Sequence, residues 1–440
     1  MAHWTANRHT PEPERTVEPR PLPRLRHSVA WSLFGNTAYA TSQWALLASV
    51  SKLGGAEMVG QLALSLAIAS PVFLFTNLQL GTVQTTDTFD RFTFADYFAL
   101  RLTSTGLGLV IILLTLGIWP QNRTTTAVTL FISGYKALDS VSDVIYGFFR
   151  KHERMDLITI AQAVKSIATV AAFTAALMLT SRLTWAAGAL ALAGSVTLVT
   201  CDFPMLRQLS RVAGTGRRFR LAPRWSKQTS VRLIKLTLPL GVSAMLVSLN
   251  ANIPRYFIGH SLGETSLGFF AGTAYITMAG TFVIGAVAQA VLPRLAHYYT
   301  IGDLASLKAV LFRLSAFAVG IGAAGVFLSA IAGRQFLSII YRPEYGPYAT
   351  LLTFLACAAT VAYEASVLNC ALNAVQRFGQ QLPLFIATSA ATALACVLLI
   401  PAHSLYGAAL ALTVGYGVQV AGAAAIVTSA LRSRAANAHT

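Results

Sequence analysis

The chain has 440 residues, of which 55% are hydrophobic and only 11% charged, with a mean hydropathy of +0.60. That balance excludes the ordinary soluble globular classes and fits an all-α polytopic membrane protein. The formal charge of +17 does not call for a nucleic-acid partner, because the basic residues cluster in alternate loops between apolar runs, the positive-inside pattern of membrane proteins.

Residues 1–26 are polar, with Pro11, Pro13, Pro19, Pro21 and Pro23 among Arg8, Arg15, Arg20, Arg24 and Arg26. This composition reads as a disordered basic tail lying against an anionic inner leaflet. The first apolar run is too long, and too polar on one face, for a cleavable signal peptide. About twenty apolar residues span a bilayer core. By that rule the sequence predicts twelve membrane helices, at roughly 27–51, 57–82, 96–119, 126–150, 158–180, 184–206, 233–259, 266–292, 308–332, 347–374, 381–401 and 404–431. Two six-helix bundles, 27–206 and 233–431, flank a basic connecting loop at 207–232, and residues 432–440 form a second tail. An even number of crossings puts both termini on one side. The loops predicted there hold twenty-four basic residues, against five on the other side (Lys52, Arg123, Arg182, Arg334 and Arg342). That bias places both ends in the cytoplasm.

The halves repeat in order. Leu53-Gly54-Gly55-Ala56-Glu57-Met58-Val59-Gly60 parallels Leu262-Gly263-Glu264-Thr265-Ser266-Leu267-Gly268, and each follows the first helix of its half. Asp96 and Arg101 fall opposite Asp303 and Lys308 at nearly the same offset. Six helices per half give copies of one orientation, related by a pseudo-two-fold axis along the membrane normal.

Polar residues form stripes along several helices. In the first, Ser32, Asn36, Tyr39 and Gln43 share one face. In the fourth, Lys136, Asp139, Asp143 and Arg150 lie in one stripe; Lys136 and Asp139, three residues apart, can also be read as neutralising each other. The fifth carries Gln162, Lys165, Ser166 and Thr169, and the tenth Thr360 and Glu364. The seventh places Asn250, Asn252, Pro254 and Arg255 where a membrane helix is still buried. An arginine at mid-membrane costs about 2.5–3.5 kcal/mol or more unless it meets water, a partner or an anion. Pro254 also leaves the Asn250 carbonyl without its helical donor, which lipid tolerates only beside other protein groups or a wet cavity. One reading is a helix lining a polar pathway; the other is an arginine snorkelling to the nearer surface across a plain kink. Mid-span ionisable groups on several helices of both halves favour a shared polar cavity.

Other motifs carry less. Asn122-Arg123-Thr124 matches the N-glycosylation pattern. Cys201, Cys357, Cys370 and Cys396 lie in or at apolar segments without metal-ligand spacing, and the eight histidines show no paired spacing. There is no Gly-rich nucleotide loop, Walker lysine or nucleophile elbow, which argues against ATP-driven pumping and for no cofactor.

At Asn252-Ile253-Pro254-Arg255-Tyr256-Phe257-Ile258, with Leu262-Gly263-Glu264 and Gly268-Phe269-Phe270-Ala271 after it, the sequence resembles the O-antigen and exopolysaccharide flippases of the multidrug/oligosaccharidyl-lipid/polysaccharide exporter superfamily. Gln289 to Leu295, Gly302-Asp303, Ile339-Ile340-Tyr341 and Glu344-Tyr345 are similar to that family too, and the resemblance covers about residues 27–430.

The resemblance implies a two-lobed transporter of the bacterial inner membrane, not an enzyme. It implies a cargo of undecaprenyl-pyrophosphate-linked oligosaccharide, moved from the inner to the outer leaflet. A cavity carrying Arg255, Lys136 and Lys165 suits a pyrophosphate, and Asn36, Tyr39, Gln43 and Asn252 suit sugars. Asp139, Asp143 and Glu364 are the candidates for a coupling proton or sodium ion. A polysaccharide polymerase or ligase is the expected protein partner, beside the membrane lipids. The rival readings are a cation-coupled multidrug exporter of the same superfamily and a membrane scaffold for glycosyltransferases.

Overall fold

The structure is a computed structural model that describes residues 25–87, 91–212 and 222–437. Nearly all of the basic tail and the centre of the connecting loop fall outside these residues. Every regular element among the described residues is helical. The first, α1 (Leu25–Thr76), is broken at Gly55, whose φ of 81° lies in the left-handed region that only glycine enters without strain. α2 (Leu80–Thr86), α3 (Phe94–Ile118), α4 (Arg123–Lys151) and α5 (Met155–Thr180) follow. α6 (Leu183–Thr197) passes through a π-helical turn, Leu198–Asp202, into α7 (Phe203–Val212).

The second half comprises α8 (Lys227–Ser261), α9 (Gly263–Ile301), α10 (Leu304–Ile340), a 3-10 turn at Pro343–Tyr348, α11 (Ala349–Ala374) and α12 (Phe378–Asn437). α12 has its own break at Ser404, with φ of 50°. The connecting loop is shorter than its composition predicts, because α7 and α8 extend into it, and α12 runs through the second tail to Asn437. Arginine, lysine and alanine at these ends are good helix formers, so the helices run on beyond their apolar spans.

Among the described residues, nine helices are long and apolar enough to cross a membrane. Their outer surface exposes Leu114, Ile118, Ile167, Phe312, Ile331 and Leu398, an apolar coat suited to lipid rather than water. The chain is a multi-pass membrane protein. α4 falls short on composition because Lys136, Asp139 and Asp143 interrupt it, and α1, α2, α3, α5 and α6 pack around it.

Helices α1–α7 pack chiefly on one another, as do α8–α12, and the two sets meet mainly where α1 lies against α8 and α9. The repeated glycines make that seam. A Cβ at Gly60 would sit 1.7 Å from the Glu264 carbonyl oxygen and 3.1 Å from the Gly268 nitrogen. A Cβ at Gly268 would sit 1.7 Å from the Ala56 carbonyl oxygen and 3.1 Å from the Gly60 nitrogen. Small residues let membrane helices approach this closely.

Hydrogen bonds lock the same end of the bundle. Glu264 accepts from Gln61 Nε2 at 3.0 Å, from Asn122 Nδ2 at 2.9 and 2.8 Å, and from Thr125 Oγ1 at 2.5 Å. Arg342 donates to the Lys52 carbonyl at 3.1 and 2.9 Å. Asn122, the glycosylation-pattern residue, is also the N-cap of α4, its Oδ1 accepting from Thr125 N at 2.7 Å. Both ends of its amide are therefore engaged. At the opposite, basic end the repeated acids are caps: Asp96 closes a capping box with Thr93 at the start of α3, and Asp303 accepts from Ser306 N at 3.0 Å at the start of α10.

Candidate functional site

Arg255 lies on α8 directly after Pro254 and is only 8% exposed, so it does not snorkel to a surface. Its Nη1 donates to Asn252 Oδ1 at 2.9 Å, and Asn252 Nδ2 donates one turn back to the Ser248 carbonyl at 2.8 Å. The guanidinium sits 5.9 Å from the ring centroid of Tyr275 on α9, within cation–π range. Its Nε is buried without a partner. Among the described residues no carboxylate forms an ion pair with it.

Tyr275 links this arginine to the other half. It lines a narrow cavity of about 20 Å³ together with Gln43 of α1 and Tyr135 and Lys136 of α4. Arg255, Asn252, Gln43 and Lys136 are thus gathered at the seam between the halves. The side chains of Asn36 and Tyr39, predicted on the same face as Gln43, lie outside the described residues. Tyr275 was missed by the sequence reading; an aromatic in an apolar helix gives no signal of its own.

Lys165 stands apart from that group, inside the first half. Its Nζ is 2.5 Å from Ser142 Oγ, 3.4 Å from Asp202 Oδ2 and 3.6 Å from Asp139 Oδ1, and 5.5 Å from the Tyr146 ring centroid. Asp202, fully buried, also accepts from Ser142 Oγ at 2.5 Å and Tyr146 OH at 3.3 Å. The π-helical turn at Leu198–Asp202 widens the helix there, as such turns do at special sites. A lone acid in the run Val199-Thr200-Cys201-Asp202-Phe203 was the available signal. The cluster holds two carboxylates to one ammonium, so Lys165 is neutralised within its own half.

Asp143 is held differently. Arg101 donates to its Oδ2 at 2.8 Å and Arg150 lies 3.5 Å from Oδ1, while Arg101 Nη1 donates to Asn77 Oδ1 at 2.5 Å. Arg101, which falls within the helix predicted at 96–119, is on α3 and fully buried, which a paired guanidinium tolerates. Glu364, on α11, accepts from Ser315 Oγ of α10 at 2.7 Å, and its second oxygen is buried without a partner. Among the described residues no group of three or more His, Cys, Asp or Glu could hold a metal ion.

The model of a family described as polysaccharide biosynthesis protein matches residues 50–299, more than half of the chain. The chain belongs to that family. The match takes in Lys136, Asp139, Asp143, Lys165, Asn252, Arg255 and Glu264, and leaves out Gln43 and Glu364. The capsular polysaccharide biosynthesis protein CapF of Staphylococcus aureus is 24% identical over 393 residues, covering 86% of this chain and 93% of CapF. An inward-facing multidrug resistance MATE family transporter of the MOP superfamily superposes with a TM-score of 0.71 at 13% identity, over 94% of this chain and 99% of that one. An outward-facing transporter of the same description gives 0.65 at 14% identity, over 92% and 96%. At such identities the likeness is one of fold. This polysaccharide biosynthesis protein is therefore a membrane protein that shares the fold of those two transporters.

Proposed function

We propose that this polysaccharide biosynthesis protein flips undecaprenyl-pyrophosphate-linked oligosaccharide from the cytoplasmic to the outer leaflet of the bacterial inner membrane. The observation that carries this reading is Arg255: a buried cation at the seam of two halves, with an unpartnered Nε and no carboxylate. A pyrophosphate would supply the missing anion by charge-assisted hydrogen bonds. Lys136, beside the same tyrosine, adds positive potential.

In this reading the chain crosses the membrane twelve times. The breaks at Gly55 and Ser404 divide α1 and α12 into two spans each, and α4 crosses inside its jacket of helices. Six spans per half are related by an axis along the membrane normal, and the basic loops put both termini in the cytoplasm. The clamp made by Gly60, Gly268 and Glu264 then closes the outer side, so the conformation faces inward. Flipping opens that clamp and rocks one half against the other, with no bond of the cargo broken. Asp139 and Glu364 are better placed than Asp143 for a coupling proton or sodium ion, because two arginines already hold Asp143. A polymerase or ligase would receive the glycan outside.

The likeness to multidrug transporters favours a second reading, export of a cationic drug. Arg255 at the seam opposes it, because a cationic cargo would meet an uncompensated positive charge. Deleting the gene in the bacterium that carries it separates the two. Accumulation of lipid-linked oligosaccharide on the cytoplasmic leaflet supports the flippase. An unchanged glycan with new sensitivity to cationic drugs supports the exporter.

A further inference from the structure

The second half contains a cavity of about 240 Å³ that the seam residues do not form. Its polar lining is amide and hydroxyl: Asn250 on α8, Ser366 and Asn369 on α11, Thr388, Tyr416 and Gln419 on α12. A neighbouring cavity of about 200 Å³ shares Ser366 and Asn369 and adds Gln289 of α9 and Asn373. Together they reach the range of about 300–1,000 Å³ usual for small-molecule sites. Among the described residues no acidic or basic side chain lines either one.

We propose that this cavity is the subsite for the first sugars of the lipid-linked cargo, and that it takes uncharged sugars only. The proposal rests on the flippase reading and adds the chemistry of the headgroup. Amide side chains offer both donors and acceptors, which is what sugar hydroxyls and acetamido groups need. Phe385 and Tyr416 add two aromatic rings to the lining, the kind of surface on which the C–H side of a pyranose packs. Asn369 belongs to both cavities, and its Oδ1 is buried without a partner, an unmet acceptor of the kind a ligand satisfies. Asn250 adds a main-chain acceptor, because Pro254 gives its carbonyl no N–H.

Position agrees with chemistry. Asn250 and Ala251 precede Arg255 by about one helical turn, roughly 6 Å along the axis. A phosphate held by Arg255 therefore puts the next sugars into this cavity. The neighbouring cavity, which shares Ser366 and Asn369, continues to Asn373, toward the basic end from which the cargo arrives. A uronic acid in the same place would lose its hydration with no cation in the lining to pair with, the nearby Arg255 being taken by the phosphate, which is strongly unfavourable.

The test is binding to the purified full-length protein in nanodiscs, with three probes: undecaprenyl pyrophosphate, its N-acetylglucosamine conjugate and its glucuronic acid conjugate. The wild type is expected to bind the N-acetylglucosamine conjugate at least tenfold more tightly than the other two. The double variant Asn369→Leu/Gln419→Leu is expected to lose that tenfold gain, worth about two hydrogen bonds, and to keep its affinity for undecaprenyl pyrophosphate. Ser366→Val on its own gives a smaller loss, and melting curves identify any variant that has not folded. Equal wild-type affinity for all three probes, or a double variant that still prefers the N-acetylated conjugate, overturns the subsite and leaves the flippase reading standing. A wild type that binds none of the probes overturns both.

Discussion

Gly60 and Gly268 cross so closely that neither position admits a side chain, since a Cβ on either would stand 1.7 Å from a carbonyl oxygen of the opposing helix. The pair joins α1 to α9 at the end of the bundle where Glu264 gathers its hydrogen bonds. Replacing either glycine by alanine is therefore expected to push the halves apart. Overpacking costs of about 1–3 kcal/mol shift a two-state equilibrium by roughly fivefold to 150-fold. Spin labels at Leu53→Cys and Glu344→Cys, across the seam, are expected to move to longer distances in Gly60→Ala and Gly268→Ala. An unchanged distance distribution would mean that this crossing does not set the conformation.

Glu264 should act as the latch of the same end. Glu264→Ala leaves Gln61, Asn122 and Thr125 without their acceptor, at a cost of about 1–3 kcal/mol to the closed form. A cysteine at Ser65, buried on α1, is expected to react several-fold faster with a membrane-impermeant maleimide added outside. Glu264→Gln keeps one acceptor and should give a smaller increase. Equal labelling in all three backgrounds argues against a latch.

The Lys165 cluster predicts a stability effect with a specific rescue. Lys165→Met leaves the buried Asp202 and the part-exposed Asp139 without their cation, and breaking a buried pair such as Lys165–Asp202 typically costs about 3–5 kcal/mol. A large fall in melting temperature in detergent is expected. Adding Asp202→Asn should restore much of it, because the uncompensated charge is removed. No fall, or no rescue, would show that the lysine does not hold the two carboxylates.

Much of this architecture is legible in the sequence because lipid imposes simple rules. Apolar length marks the helices, whereas the paired glycines show in the sequence only as a repeat between the halves, and that they cross at the seam is visible only in the fold. The ion pairs were less legible. Arg101 lies near a helix start, where a basic residue draws no notice, and only the fold shows Asp143 beside it. Lys165 shares its mid-span position with Arg255, yet Asp202, more than thirty residues on in the chain, decides that it is neutralised. Periodicity gives the face of one helix and cannot say which faces of two helices meet.

Asp139 and Asp143 should part company in transport. Asp143→Asn frees two arginines near the basic end and is expected to lower stability while leaving the response to an imposed proton or sodium gradient intact. Asp139→Asn, next to the lysine with its two carboxylates, is expected to blunt that response. Flux assays in proteoliposomes under each gradient check this, and the reverse ranking would move the coupling site to Asp143.

The most direct test of the account is the flipping of a fluorescent undecaprenyl-pyrophosphate-linked sugar in proteoliposomes by the wild type, Arg255→Lys and Arg255→Gln. A charge-assisted bond is worth about 1.5–3 kcal/mol, so Arg255→Gln is expected to slow flipping at least tenfold with an unchanged melting temperature, and Arg255→Lys to fall between. Flipping by Arg255→Gln at the wild-type rate would contradict the claim that this buried arginine holds the cargo.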